Sequence, residues 1–313
     1  MQRILVTGGA GFIGSHTVER LLARGDQPVV LDNFNDFYDP AIKRANVARF
    51  PGVPVVVGDI RDKSLIDSLF AQQRFDGVIH LAAMAGVRPS VQDPLLYEDV
   101  NVRGTMVLLE AARRQPGLRF VFASSSSVYG ARDRSPFRED DDIPRPVSPY
   151  AATKRAGELI AYTYHHLFAV PVACLRFFTV YGPRQRPEMA IAKFSAAIER
   201  GEAIPFYGDG STRRDYTYID DIVDGVVAAY DRCQGYEIFN LGESATTSLS
   251  ELVDALARAL GREARLDRQP LQPGDVPLTC ADVSKAVRLL GYAPKVGVDE
   301  GLRRYVAWRR TLN

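Results

Sequence analysis

The tightest constraint on the fold lies between residues 4 and 24. Ile4-Leu5-Val6 is a short apolar run, Gly8-Gly9-Ala10-Gly11-Phe12-Ile13-Gly14 follows at once, and residues 13–24 carry apolar side chains at helical spacing. Such a succession reads as a buried strand, a glycine turn and a helix. Both Gly9-x-Gly11-x-x-Gly14 and Gly8-x-x-Gly11-x-x-Gly14 are satisfied. Glycines are required where the turn is tight, where a pyrophosphate approaches bare backbone, and where helix and strand pack closely. The helix start adds free N–H groups and a positive dipole end. A plain tight turn is the bland alternative. Against it, the next strand-like run, 29–31, ends in Asp32, 18 residues after Gly14. A carboxylate there accepts hydrogen bonds from adenosine ribose hydroxyls and repels a 2′-phosphate, which selects NAD over NADP. Lys43 and Arg44 fall in a surface helix and are expected to be solvated.

The alternation continues. Runs 53–57, 77–81, 120–123 and 171–177 read as further strands, and 64–72, 100–113 and 150–168 as helices between them. Strict alternation implies crossover units and an α/β fold, a Rossmann-type doubly wound parallel sheet with helices on both faces. A length of 313 residues exceeds one average domain. After residue 182 the pattern is broken by Pro183, Pro187, Pro205, Gly208 and Gly210, around one helix at 190–200. Residues 215–218 and 221–231 read as a strand and helix returning to the sheet, and 249–260 and 283–289 as helices flanking a loop at 269–279. The expected organisation is an NAD-binding domain of 1–179 and 215–240 and a smaller, discontinuous C-terminal substrate domain of 180–214 and 241–313.

Composition narrows the function. With 39 basic and 38 acidic residues the net charge is +1, which gives no basis for nucleic-acid or anionic-membrane binding. No apolar run approaches the ~18 residues of a membrane span. Nothing resembling a signal peptide precedes Arg3-Ile4-Leu5-Val6. Cys174, Cys233 and Cys280 are odd in number and far apart, the pattern of reduced thiols rather than a disulfide framework or zinc cluster. A cytoplasmic protein without a metal is expected.

Tyr150 and Lys154 lie four apart on one helical face, on the helix before strand six. Tyrosine is a poor base, with an ordinary pKa of about 10, but a neighbouring ammonium and a nicotinamide cation favour the phenolate. A phenolate so placed can take a proton from a hydroxyl while hydride leaves the same carbon. Ser124 to Ser127 follow strand five, where hydroxyls face the ligand crevice of a parallel sheet. Asp59-Ile60 closes the third strand and can meet an adenine, or can equally cap the helix that follows.

These features, with His80-Leu-Ala-Ala83, the serine run ending Val-Tyr129-Gly130, and Arg176-Phe-Phe-Thr-Val-Tyr-Gly182, resemble the extended short-chain dehydrogenases acting on nucleotide sugars, across nearly the whole chain. Asp32-Asn-Phe-Asn-Asp-Phe-Tyr-Asp-Pro40, Ala85-Gly-Val-Arg88, Ser148-Pro-Tyr-Ala-Ala-Thr-Lys-Arg-Ala-Gly-Glu158, Gly182-Pro-Arg-Gln-Arg-Pro187 and Gln272-Pro-Gly-Asp275 are most similar to UDP-glucuronate 4-epimerases. The resemblance implies a UDP-sugar substrate, NAD held through the cycle, and a homodimer built on helices 100–113 and 150–168. It assigns Tyr150 as base, Lys154 as its partner and ribose ligand, and Ser125 as the hydroxyl beside O4. It assigns to the cofactor Gly8, Gly11, Phe12, Ile13, Gly14, Asp32, Asn33, Asn35, Asp59, Ile60, Leu81, Ala82, Ala83, Asn101, Ser124, Phe177 and Val180, beside Tyr150 and Lys154. To the substrate it assigns Arg88, Ser126, Ser127, Tyr150, Thr179, Arg186, Tyr207, Arg214 and Asp275. Thr179 stands where many UDP-glucose epimerases have asparagine, and Gln272 where they have arginine. Arg88 is the substitute cation for the diphosphate.

Related dehydratases and decarboxylases carry an additional acid just before Val-Tyr-Gly. Ser126-Ser127 stands there instead, which favours epimerisation. A uronate's 4-keto intermediate is a β-keto acid, and Arg186 is the expected anchor that keeps its carboxylate from leaving; the alternative is that Arg184 and Arg186 are loop charges facing water. The rival readings are a UDP-glucose/UDP-galactose or N-acetylhexosamine 4-epimerase, a decarboxylase or 4,6-dehydratase, and a dinucleotide-sensing protein without catalysis.

Overall fold

The computed structural model describes residues 1–132, 134–143, 145–271 and 276–312. Strands β1 (Arg3–Thr7), β2 (Gln27–Asp32), β3 (Val55–Val57), β4 (Gly77–His80), β5 (Arg119–Ser125) and β6 (Val172–Phe177) match the runs read from sequence. Five short strands follow, β7 (Thr179–Tyr181), β8 (Ala203–Tyr207), β9 (Arg213–Arg214), β10 (Tyr216–Tyr218) and β11 (Tyr236–Leu241), and the last two are β12 (Thr247–Ser248) and β13 (Arg265–Gln269). The main sheet has the order β11-β6-β5-β4-β1-β2-β3 and every pairing in it is parallel.

Alternate residues of each buried strand feed opposite cores. Ile4 and Val6 of β1 pack with Leu21, Val226 and Ile222 on one face, and Leu5 packs with Ile66, Leu108 and Phe120 on the other. Parallel strands covered on both sides must be apolar throughout. That is why these segments show no polar alternation. The first core runs on beyond the sheet to Leu252, Leu256, Leu302 and Tyr305, so the later elements share it.

The short helices Val87–Gln92 and Pro94–Glu98 and the parallel pair β8–β13 are not expected from the sequence, and three larger departures accompany them. Residues 215–218, expected in the main sheet, form β10, which pairs parallel with β7 instead. The strand that does return is β11, in register with β6 from Tyr236↔Val172 to Leu241↔Phe177. Asp215 sets the difference. Its carboxylate accepts from the Glu243, Ser244 and Ala281 nitrogens and from the Thr217 hydroxyl, and its carbonyl accepts from the Thr179 nitrogen. The helix expected over 100–113 begins with a wider π turn, Asp99–Arg103, before Gly104–Ala112. Asn101 turns inward there to bond the Met84 backbone, and a Cβ at Gly104 would sit 2.6 Å from Ile60 Cδ1. Finally, the helix Val298–Arg309 closes the chain and was not foreseen, although Val298, Leu302, Tyr305 and Val306 carry its spacing. Among the described residues no helix is long and apolar enough to cross a membrane, and no cluster of three metal-binding side chains occurs.

Candidate active site

The sheet order reverses between β1 and β4, and a cleft opens at the C-terminal ends of those strands, the position where parallel α/β sheets take ligands. Gly8 leaves β1 with φ 68°, and a Cβ on it would lie 2.7 Å from the Ala82 nitrogen. A Cβ on Gly14 would lie 2.1 Å from the Gly8 carbonyl oxygen. Only hydrogen fits at either position, so bare backbone lines the cleft. The helix Phe12–Ala23 starts there with Gly11 as its N-cap, and no side chain caps it. Its first N–H groups are therefore available to an anionic ligand.

Asp32 ends β2 with its carboxylate accepting from the Ala10 and Phe34 nitrogens at 3.1 and 2.9 Å. Burial raises its pKa against those bonds. Asn33 donates to Asp59 at 2.9 Å, and Arg61 bridges Asp59 through two nitrogens, holding that carboxyl down at about 2. The cap of the next helix is Asp62 rather than Asp59. Asp59 is thereby left at the cleft wall with Ile60. Lys43, expected in solvent, is buried. Its ammonium donates to the Asn35 carbonyl and side-chain oxygens at 3.0 and 2.8 Å, while Arg44 on the next position stays exposed. The surface reading holds for one of the pair only, because Lys43 faces the 33–38 loop that folds back over it.

At the other end of the cleft stand Ser125, Tyr150 and Lys154. Ser148 caps the helix Pro149–Phe168 by accepting from Ala151, which sets Tyr150 at its first turn. Burial raises the Tyr150 pKa, and the nearby Ser125 hydroxyl and the Arg186 charge act against that rise; the Ser125 hydroxyl itself donates to Ser127 Oγ at 3.1 Å. Lys154 is 4% exposed, donates to the Ala123 carbonyl at 2.7 Å, and lies 5.2 Å over the Phe122 ring. Burial alone brings its pKa down to about 7. His80 behind it is fully buried and neutral, near pKa 3, with its two ring nitrogens against Thr7 and Thr105.

Leu81, Ala82, Ala83, Phe177, Thr179, Val180 and Arg186 complete the walls predicted from sequence. Phe37, Tyr38, Lys43 and Met189 also line the cleft and were missed. The 33–38 loop brings in the first two beside Asn33 and Asn35. Two expected cofactor residues are engaged elsewhere. Ser124 reaches the cleft wall but its hydroxyl donates to Glu158 at 2.6 Å. Asn101 sits behind the cleft, bonded to Met84 and to Thr153. Ser126 and Ser127 form a 3-10 turn beyond Ser125, and the Ser127 N–H donates back to Ser125 Oγ at 3.1 Å. Arg88 and Tyr207 stack at 5.2 Å away from the lining, and Arg214 donates to its neighbour's carbonyl at 2.9 Å. Asp275 and Gln272 lie outside the described residues. Arg184 and Arg186 are not a matched pair of surface charges. Arg184 is buried against the helix Phe12–Ala23, whereas Arg186 faces the cleft.

The chain matches the profile of the family described as GDP-mannose 4,6 dehydratase over residues 5–305. UDP-glucuronate 4-epimerase 4 of Arabidopsis thaliana is 44% identical over 326 residues, 97% of this chain and 74% of that protein. The structure of UDP-glucuronic acid 4-epimerase from Bacillus cereus, in complex with UDP-glucuronic acid and NAD, is 36% identical with a TM-score of 0.92, covering 99% of this chain and 100% of that one. A dTDP-glucose 4,6-dehydratase from Streptomyces venezuelae, with NAD bound, is 34% identical with a TM-score of 0.91 over 99% and 97% of the two chains. Backbone similarity therefore spans more than one reaction, and the side chains around Tyr150 must distinguish them.

Proposed function

We propose that this chain, which belongs to the GDP-mannose 4,6 dehydratase family of extended short-chain dehydrogenase/reductases, is an NAD-dependent isomerase that inverts C4 of UDP-glucuronate to give UDP-galacturonate. The glycine cradle, the uncapped helix start and Asp32 suit a dinucleotide. When bound there, held by the glycine turn and Asp32, NAD would supply a reversible hydride acceptor for C4.

Tyr150 is the base. Ser125 holds its hydroxyl and, in turn, the O4 of the sugar, so that one proton is passed along one line. In the protein alone the phenol stays protonated, since burial favours the neutral form. Lys154, 6.0 Å from the Tyr150 ring and half charged near neutral pH, is the cation that shifts it toward phenolate as substrate binds.

The observation that carries the choice of reaction is the distribution of acids. Among the described residues lining the cleft the carboxylates are Asp32 and Asp59, both at the nucleotide end, and Glu188 next to the cleft is paired with Arg186 at 3.1 Å. Beside Tyr150 stand Ser125 and Tyr97, and Thr179 lines the same cleft. Elimination or assisted decarboxylation needs a second acid/base at the sugar; inversion needs none. Arg186 gives the uronate preference. A β-keto acid loses CO₂ most readily when its carboxylate bond stands perpendicular to the ketone plane, and a charge-assisted hydrogen bond can hold it near that plane. Arg186 lines the same cleft as Thr179.

Arg88, Tyr207, Arg214 and Asp275 would serve the diphosphate and uridine, and the 180–214 and 241–313 segments would form the sugar-nucleotide domain. Met106, Leu159, Tyr162 and Leu167 leave an exposed apolar face on two adjacent helices that suits a homodimer. Three free cysteines suit the cytoplasm.

The test is Arg186→Ala. Activity on UDP-glucuronate should fall by about a hundredfold while any activity on UDP-glucose changes little, the scale of one lost charged contact. Equal loss on both sugars would remove the anchor from the account.

A further inference from the structure

Arg186 pairs with Glu188 at 3.1 Å and lies 5.9 Å from the Phe37 ring, so its direction depends on how the loop that carries both charges is held. The loop that carries it, residues 182–189, lies between β7 and the helix Ala190–Arg200. Its attachment runs through Arg184, two residues away. Arg184 has φ 66°, in the left-handed region that non-glycine residues rarely enter. That turn sends the Arg184 side chain away from the cleft, toward the helix whose N-terminus forms the glycine cradle. There it is 7% exposed; its Nη2 pairs with Glu19 and its Nε lies 3.1 Å from His16 Nε2. The same His16 nitrogen is 2.9 Å from the Pro183 carbonyl, so the ring meets two consecutive residues of the loop. Burial, with Arg184 beside it, holds His16 near pKa 4. It is neutral at working pH and adds no repulsion to the cluster. Arg49 braces Glu19 from the far side at 2.8 Å. A left-handed residue with two groups of one helix converging on its side chain marks a position fixed by its surroundings.

We propose that Arg184, clamped by Glu19 and His16, is a positioning residue that aims Arg186 into the cleft and so sets the preference for a carboxylate-bearing sugar. This rests on the reading of Arg186 as the carboxylate anchor. Without the Arg184–Glu19 pair the loop keeps the His16 contact at the Pro183 carbonyl but loses its ion pair to the helix, and Arg186 loses its fixed approach to the sugar. The uronate is then bound more weakly, and its 4-keto form is less well held in plane. Loss of CO₂ breaks the C5–C6 bond and leaves the electron pair in the enolate of the C4 ketone, which takes a proton to give a 4-keto pentose. A loosened anchor therefore increases this side product as well as the dissociation constant.

The experiment uses the full chain with its dinucleotide bound. Arg184→Asn removes the guanidinium while keeping a residue that tolerates left-handed backbone. Glu19→Gln removes the pair from the other side and serves if Arg184→Asn misfolds. Dissociation constants for UDP-glucuronate and UDP-glucose are measured by calorimetry, and the fraction of turnovers releasing CO₂ is measured separately. That fraction does not depend on how much enzyme is folded. The expected result is a Kd for UDP-glucuronate raised about tenfold, with UDP-glucose within about twofold, and a larger CO₂ fraction. Arg184→Lys, which keeps the charge opposite Glu19, should recover part of both. Arg186→Ala is run alongside. A selective loss in Arg186→Ala but in neither clamp variant overturns the clamp and leaves the anchor standing. Selective loss in none of them overturns both.

Discussion

Replacing Lys154 with methionine should make the protein more stable and less active at once. The ammonium is 4% exposed and its pKa is brought to about 7 by burial. Against an ordinary lysine value of about 10.4, its charge disfavours the folded state by roughly 4 kcal/mol at pH 7. Methionine removes that penalty but also removes the hydrogen bond to the Ala123 carbonyl and the contact with Phe122. Each of those is worth about 1 kcal/mol, which leaves a net gain of about 2 kcal/mol. With an unfolding entropy of about 2.1 cal/mol/K per residue, that gain raises Tm by about 3 °C. The pH dependence identifies the cause. Between about pH 7 and 10.4 the unfolded chain binds this proton and the folded chain does not, so wild-type stability rises with pH across that window. The methionine variant's advantage is therefore largest below pH 7, vanishes near about pH 9 and is reversed at pH 10, where the lost contacts outweigh the remaining penalty. The assay is calorimetric or urea unfolding of both proteins, freed of dinucleotide, at pH 7 and pH 10, beside turnover, which should fall at least about a hundredfold. A variant less stable than wild type at pH 7, or an advantage that does not shrink with pH, would refute the reasoning.

Two further outcomes follow from the packing around the site. Gly14→Ala places a methyl 2.1 Å from the Gly8 carbonyl and should yield folded protein with little bound dinucleotide, read from its absorbance ratio after purification. Glu158→Gln breaks the bidentate, fully buried pair with Arg176 at 2.8 and 2.9 Å, a loss of about 3–5 kcal/mol, and should lower Tm by about 5–8 °C on the same entropy scale. The pair holds the Glu158 carboxyl below its ordinary value against burial. The wild-type advantage is therefore present above the carboxylate range and lost as pH falls through and below it.

The first half of the fold was readable because a parallel sheet covered on both faces leaves a continuous apolar run wherever a strand passes. β11 escaped notice because Tyr236-Glu-Ile at its start is only half-buried at the sheet's edge, whereas Tyr216–Tyr218 is more apolar and fully buried yet pairs with β7. Apolarity tells that a strand is buried but not against which partner. In the site, the glycines, Asp32, Tyr150 and Lys154 were legible since their spacing is dictated by one turn and one helix. Lys43 was not. Its helix reads as amphipathic, and only the return of the 33–38 loop covers it. Arg184 and Arg186 look alike in sequence. What separates them is a single left-handed residue, and no pattern of residue types announces that.

The central claim is inversion at C4 of a uronate with no second acid at work. Purified protein, given UDP-glucuronate and no added NAD, should produce UDP-galacturonate by proton NMR, approaching an equilibrium mixture of the two epimers with no stoichiometric release of CO₂. A 4-keto pentose with CO₂, a 4-keto product that accumulates one per enzyme, or no change in the uronate while UDP-glucose is epimerised would contradict it.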